Sequence, residues 1–439
     1  HLLEPDLASD ATGFAVLSIS WVAHLLSTGG PDAVAAVPEF LLRDAAAWVS
    51  FCVRCGGADV VGGSDVAALV GGVSAFLRAD GVAARSPLAA AACMEMLQAM
   101  LAPQLDKRRV VGWAQGASLG PTAMSPGERA LVASVLATGA AQAALIPALM
   151  RAHAGADVVV GLDVDRDRFD KFGFRTQVDA LLMELWSDAT CLASTARLAA
   201  GGGADAASFD AYVGAVLNSL IYLLDDCLVR LQAMADVEAA KAAGGGAAWA
   251  ALPARERAAK EAFLQGEAGV TRGFMGMAVR CLAVLDRLAG QAPIVAASFG
   301  ARRELAAQAA HAVSAFVSAV AGCDPASGGG RRAVEIGRPE RFRYDPPALL
   351  ASILSIALRI DVAMGGGGAS GGGGGLAPFL AAEAEFDPEP AARAAALAGG
   401  RGDYGSRTGF EALVSRAVAL RGGGGGKDAG AGAAAGSAF

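Results

Sequence analysis

Aromatic residues make up only 6% of this 439-residue chain, charged residues 18%, and histidines number four. Globular chains carry roughly 25% charged residues, so the surface is lightly charged. There is no basic excess either, because 36 Lys and Arg stand against 43 Asp and Glu, a net charge of −7. A nucleic-acid binder needs a basic footprint, and this balance argues against that class. The sequence has no P-loop, which argues against nucleotide chemistry of that kind. Alternation of apolar and polar residues is missing too. Val110–Val111 and Val158–Val160 are short β-branched runs that lead into no strand pattern. Disulfide logic fails as well. The seven cysteines, Cys52, Cys55, Cys93, Cys191, Cys227, Cys281 and Cys323, are odd in number and widely spaced, which points to a reducing compartment.

Small apolar residues fill the gap. Hydrophobic residues reach 54% and glycine counts 58. This composition buries ample surface and is not that of a disordered chain. Mean hydropathy is +0.43, so membrane spans need a test. Residues 131–150 carry no charge, but they are alanine-rich and hold Ser134, Thr138, Gln142 and Pro147. Alanine contributes little to insertion, and the stretch reads as a buried helix. Residues 11–31 are similar and are interrupted by His24, Gly29, Gly30 and Pro31. No basic region precedes them, so no signal peptide is expected. The first residue is His1, and the chain is expected to be a fragment or a processed product.

The positive pattern is helical. Leu217, Leu220, Ile221, Leu224, Leu228 and Leu231 form one stripe within 209–240, with Asp225, Asp226 and Arg230 off its centre. Leu349, Leu350, Ile353, Leu354, Ile356, Ala357 and Ile360 cover a broad face in 347–361, and Val178 to Trp186 give a third case. Ser86–Pro87 and Asp345–Pro346 read as helix N-caps with proline at the first helical position. Glycine runs at 201–203, 244–246, 328–330, 365–368, 371–375 and 422–426 read as loops that hold no regular structure. The length allows two or three domains or one repeat-like body. The expected fold is all-α: an elongated, superhelical α-solenoid of the armadillo or HEAT kind, with few or no strands.

Candidate reactive motifs each fail a physical requirement. Cys52-x-x-Cys55 closes the Phe40–Val53 helical stretch, but zinc needs two further ligands, and His1, His24, His153 and His311 form no cluster. Asp163, Asp165 and Asp167 imitate a calcium loop, yet the glycine and glutamate that such a loop requires are replaced by Arg168 and Phe174, and Arg166 and Arg168 offset the charge. Gly116-Ala117-Ser118-Leu119-Gly120 matches a nucleophile elbow, but Pro121 follows at once and no sheet surrounds it. Asp225–Asp226 lacks an acidic partner for metal-diphosphate binding and reads as a solvated helix face. Arg401-Gly402-Asp403 is too short to inform. No catalytic, cofactor-binding or metal residue is assigned.

Longer stretches carry a resemblance. Phe169-Asp170-Lys171-Phe172-Gly173-Phe174-Arg175 through Leu185–Trp186 is one. Phe209, Tyr212, Val213, Leu217, Asn218 and Tyr222-Leu223-Leu224-Asp225-Asp226, then Leu228 and Leu231, form a second. Trp249-Ala250-Ala251-Leu252-Pro253 with Arg257, and Arg338 through Pro346 followed by Leu349–Leu350 and Ile360–Asp361, extend the series. Val37-Pro38-Glu39-Phe40 and Ser86–Pro87 with Glu95 and Leu97 precede them. In this order, over roughly residues 37–420, they resemble the core of the ubiquitin conjugation factors that elongate ubiquitin chains, the "E-four" class with a C-terminal U-box. Departures are Ser86 for Asn, Ala92 for Lys, Ser219 for Asp, and a loosened segment around Tyr404 and Phe410. Residues 103–130 and the glycine runs look like insertions.

The resemblance implies a core over residues 1–421 and a Gly/Ala tail at 422–439, where the family continues towards its U-box; nothing in these residues resembles a U-box. It implies extension of polyubiquitin on proteins already bearing ubiquitin, as a ubiquitin–ubiquitin ligase, in a complex with a ubiquitin-conjugating enzyme recruited by the U-box. These residues alone are expected not to transfer ubiquitin. Implied partners are polyubiquitinated substrates, an AAA-type segregase ATPase and proteasome shuttle proteins, in cytoplasm and nucleus, with no nucleic acid, membrane or cofactor. The alternative is a helical interaction scaffold unrelated to ubiquitin. Phe169, Phe172, Phe174 and Trp186 are expected to be inter-helix packing residues.

Overall fold

In the computed structural model, residues 4–35, 37–55, 60–79, 86–103, 124–161, 169–322, 334–365, 374–384, 386–398 and 404–423 are described. Among them every regular element is a helix, as expected. Two compact units divide the chain, His1–Val216 and Leu217–Phe439.

The first unit holds α1 (Pro5–Ala35), α2 (Glu39–Cys55), α3 (Gly63–Arg78), α4 (Pro87–Leu101), α5 (Pro126–Leu136), α6 (Ile146–Gly161), α7 (Lys171–Leu185) and α8 (Ala189–Ala200). It also holds the start of α9 (Gly203–Ala242). Packing runs between helices close in sequence: α1 on α2 and α3, α2 on α4, α3 on α6, and α4 and α6 on α7. This is the solenoid-like stacking that helix pairs adopt when each buries its stripe on its neighbours.

The second unit contains the rest of α9, α10 (Ala247–Ala251), α11 (Ala254–Ala289), α12 (Ala292–Val295), α13 (Arg303–Ala321), α14 (Pro346–Ala363), α15 (Ala377–Ala382), α16 (Pro388–Ala398) and α17 (Tyr404–Gly423). Here α14 is central, touching α11, α13, α16 and α17. Its broad apolar face, Leu349 to Ile360, is buried as the pattern predicts.

Several expectations need correction. Residues 131–150 are not one helix. α5 ends at Leu136, a π-helical turn spans Ala141–Leu145, and the axis bends by 67° before α6. Val158–Val160 lie in α6 and are helical, while Val110–Val111 lie outside the described residues. The run 244–246 is not irregular: Ala243–Gly246 is a 3₁₀ turn that ends on Gly246 at φ 82°, which glycine adopts without a Cβ clash. Gly203 opens α9 and Gly422 and Gly423 close α17. The run 328–330 and the bulk of the later runs lie outside the described residues.

Apolarity also proves more widespread than the sequence windows suggested. Five described helices are long and apolar enough to cross a membrane by length and composition. Much of that apolar surface is occupied within the units: 61% of the window in Arg303–Ala321 and 56% in Gly203–Ala242 is buried. The helix Asp6–Gly30 is the exception at 28%, and it shows Phe14, Leu17 and Trp21 to solvent.

Candidate functional site

The stretches singled out in the sequence fold into polar tethers between helices. The first joins α2 to α4. Glu39 Oε1 accepts the Ala89 backbone N–H at 3.3 Å, taking one of the amides that a helix start leaves unpaired. Ser86 sits at the N-cap with Pro87 after it, but its hydroxyl makes no capping bond. The expected cap is thus supplied from another helix, and the two segments around Pro38 and Pro87 meet.

The second tether is the most deeply buried. On α7, Asp179 is 2% exposed and accepts the Tyr212 hydroxyl of α9 at 2.8 Å. His153 of α6, 1% exposed, stands edge-on to the Tyr212 ring at 4.8 Å, with Nε2 3.5 Å from the same Asp179 oxygen. Burial first, and then the nearby Arg175 charge, push His153 down to about 3 despite Asp157. The imidazole is therefore neutral, and its approach to Asp179 is not an ion pair. Its Nδ1 is buried without a hydrogen-bond partner among the described residues. Arg175 closes the group by donating to the His153 carbonyl at 3.2 Å and to Asp157 at 2.6 Å. Lys171 reaches Asp157 at 3.0 Å. Burial opposes ionisation of Asp157, but the hydrogen bonds from Arg175 and Lys171 outweigh it and hold the carboxyl below its usual range. Trp186 lies fully buried and donates Nε1–H to Thr195 at 2.9 Å. Phe174 is buried with it, whereas Phe169 and Phe172 are half-exposed, with the Phe169 ring 5.4 Å from that of Phe174. Both sit at the start of α7, where Lys171 lies 5.1 Å over the Phe172 ring.

In the second unit, Asp226 is not a plain solvated residue. It accepts from Arg230 at 2.5 Å, and Arg230 also pairs with Glu267 of α11. Those two hydrogen-bonded carboxylates raise the Arg230 guanidinium further above its ordinary range. Asp225 remains exposed. Asp345 caps α14 through the Ala348 N–H at 3.2 Å, as its sequence position predicts. Tyr344 beside it is pushed up to about 12 by burial. Asp361, 2% exposed, accepts the Leu376 N–H at 2.8 Å and Arg416 Nη2 at 2.5 Å, tying α14 to α15 and α17.

The reactive candidates gather nothing around them. Cys52 is buried and its thiol is raised by burial, with the Thr12 hydroxyl 4.0 Å away; Cys55 is exposed. No described group of three His, Cys, Asp or Glu is placed to hold a metal. Residues 116–121, Asp163, Asp165, Asp167, Cys323 and 401–403 lie outside the described residues. One apolar cavity of about 30 Å³ sits in the second unit among Leu217, Leu282, Phe299, Val313 and Ile353. No polar group enters it, so it is a packing void.

What these side chains do together is hold helices. Comparison with known families then decides the lineage: a family model described as "ubiquitin elongating factor core" matches residues 1–364. This chain belongs to the ubiquitin elongating factor core family. The carboxylates Glu39, Asp179, Asp226, Asp345 and Asp361 all fall inside the part matched to the elongating factor core, and Arg416 lies beyond it. A comparison with curated proteins returns no match. Sequence reasoning missed His153, Asp179 and Asp157 as a group, because they come from two helices and pair with a third. Nothing in their spacing marks them.

Proposed function

We propose that this chain is the helical scaffold of a ubiquitin chain elongation factor, which extends polyubiquitin on proteins already carrying ubiquitin and so directs them to the proteasome. The family match over residues 1–364 carries this reading. The site chemistry agrees with it, since the buried carboxylates Asp179 and Asp361 are spent on inter-helix tethers. A scaffold of this kind contributes proximity and orientation: it keeps an acceptor lysine near a thioester held elsewhere, and needs no nucleophile of its own. In this proposal the thioester belongs to a ubiquitin-conjugating enzyme recruited by a U-box. The scaffold engages the ubiquitinated substrate, an AAA-type segregase ATPase and shuttle proteins, in cytoplasm and nucleus.

A reconstituted assay tests this. Activating enzyme, conjugating enzyme and a monoubiquitinated substrate are combined with these 439 residues, alone and fused to a U-box. Chain extension is expected only with the fusion. Extension by the 439 residues alone would refute the division of labour. No extension and no retention of ubiquitinated substrate or segregase by the fusion would favour a helical scaffold outside the ubiquitin system.

A further inference from the structure

One cluster of positive charge in the second unit is not spent on a tether. On α11, Gly269, Arg272, Gly273, Gly276 and Arg280 recur at three- and four-residue steps and so share a face. Gly269, Arg272 and Gly273 are exposed and Arg280 is half-exposed. The 3₁₀ turn Pro339–Phe342 packs on the same helix and ends at Arg343, whose backbone is left-handed at φ 57°. The Arg343 guanidinium lies over Gly276, where an added Cβ would stand 2.6 Å from its Nη1. Arg272 and Arg280 lie one turn to either side. Two arginines spaced about 12 Å apart along the helix therefore flank the position that Arg343 covers.

Among the described residues none of the three has an ion pair, in contrast to Arg175, Arg230, Arg359 and Arg416, each of which is paired. Two carboxylates of the second unit, Glu238 and Glu267, are committed elsewhere. Glu238 takes the Gly337 N–H at 2.9 Å, and Glu267 holds Arg230. Glu340, within the turn itself, is exposed. Like charges repel, and a left-handed non-glycine residue is strained. An anion on this face relieves the repulsion.

We propose that this face of α11, with Arg343 over Gly276, binds an acidic segment of a partner protein. The span of the three arginines exceeds one phosphate and suits carboxylates spaced along a peptide. A Cβ added at Gly269 or Gly273 would meet nothing within 4 Å, so a backbone can approach closely there. Val279, 44% exposed, borders the face and offers the apolar contact that a peptide side chain uses. A net charge of −7 disfavours a polyphosphate strand, which needs a wider basic surface. The inference stands apart from the ubiquitin reading.

Fluorescence anisotropy of a labelled polyglutamate peptide of about 20 residues, titrated with the full chain at low salt, tests it. The double variant R272E/R280E is expected to weaken binding at least ~10-fold, and R343Q about threefold, because close charge pairs dominate such contacts. R393E/R407E changes net charge equally on α16 and α17 and is expected to change affinity less than about twofold. Unchanged helical circular dichroism confirms folding, and R343Q carries the test if the double variant unfolds. Equal losses in both double variants, no binding by the parent chain, or displacement by oligo-dT or inorganic phosphate at matched charge would each overturn the proposal.

Discussion

The two units fasten alanine-rich helices with polar groups set at different depths. In the first, Asp179, His153 and Tyr212 are closed off from water, and the Arg175 side chain is 8% exposed. In the second, the Asp226–Arg230–Glu267 cluster keeps 24%, 29% and 25% exposure. Asp361 is the buried exception there, and its arginine is 38% exposed. Depth sets the consequence of a break. A buried group that loses its partner has no water to replace it and bears the full desolvation cost. A half-exposed group is re-solvated and loses little.

The largest expected effect follows from Asp179. Asp179→Ala strands the Tyr212 hydroxyl and removes the carboxylate beside His153, and is expected to destabilise the first unit by about 3 kcal/mol. Urea unfolding monitored by amide exchange in α7 and α9 checks this, and Tyr212→Phe completes a double-mutant cycle. A loss no larger than that of an Arg230 variant would break the comparison between the units.

Acid sharpens it. His153 is held at about 3 when folded, against roughly 6.5 when unfolded. Below pH 6.5 the unfolded chain binds a proton that the folded chain refuses, so stability falls as pH drops from 6.5 towards 3. The slope approaches about 1.4 kcal/mol per pH unit for this one group. Asp157 acts in the same sense: its folded carboxyl is depressed, so its contribution is present at neutral pH and is lost as pH falls. His153→Phe is expected to flatten the slope between pH 6 and 4. An unchanged slope would assign the acid sensitivity elsewhere.

Next in size is Asp361. Asp361→Ala leaves the buried Leu376 N–H without its acceptor and is expected to cost about 2 kcal/mol, confined to the second unit. Faster amide exchange in α15 and α17, with α7 unaffected, is the measurement. Loss of protection in α7 instead would show that this carboxylate does not act on the second unit alone.

Helix positions were legible because their signal is local. The stripe from Leu217 to Leu231 and the Asp345–Pro346 cap need only neighbours in sequence. The glycine runs misled because 244–246 was judged by entropy alone, while the turn required the positive φ that glycine supplies. Glu39 on Ala89 was illegible for the opposite reason. It caps a helix 50 residues away, and no periodicity encodes a contact made by packing. Likewise the sequence marked Tyr212 and Arg175 only through a family resemblance, and gave no sign that Asp179 lies between α6 and α9.

The smallest expected effect belongs to Arg230, and it tests the comparison most finely. Arg230 holds two carboxylates and lies 5.7 Å from the Phe274 ring, so a count of contacts ranks it above Asp361. Depth ranks it below. Water reaches all three charged groups, and each can be solvated in place of its partner. Arg230→Ala is therefore expected to cost no more than about 1 kcal/mol, and less in 0.5 M salt, since exposed pairs are screened. A salt-independent loss above that size would mean that contact number, and not depth, governs how this helical stack is held.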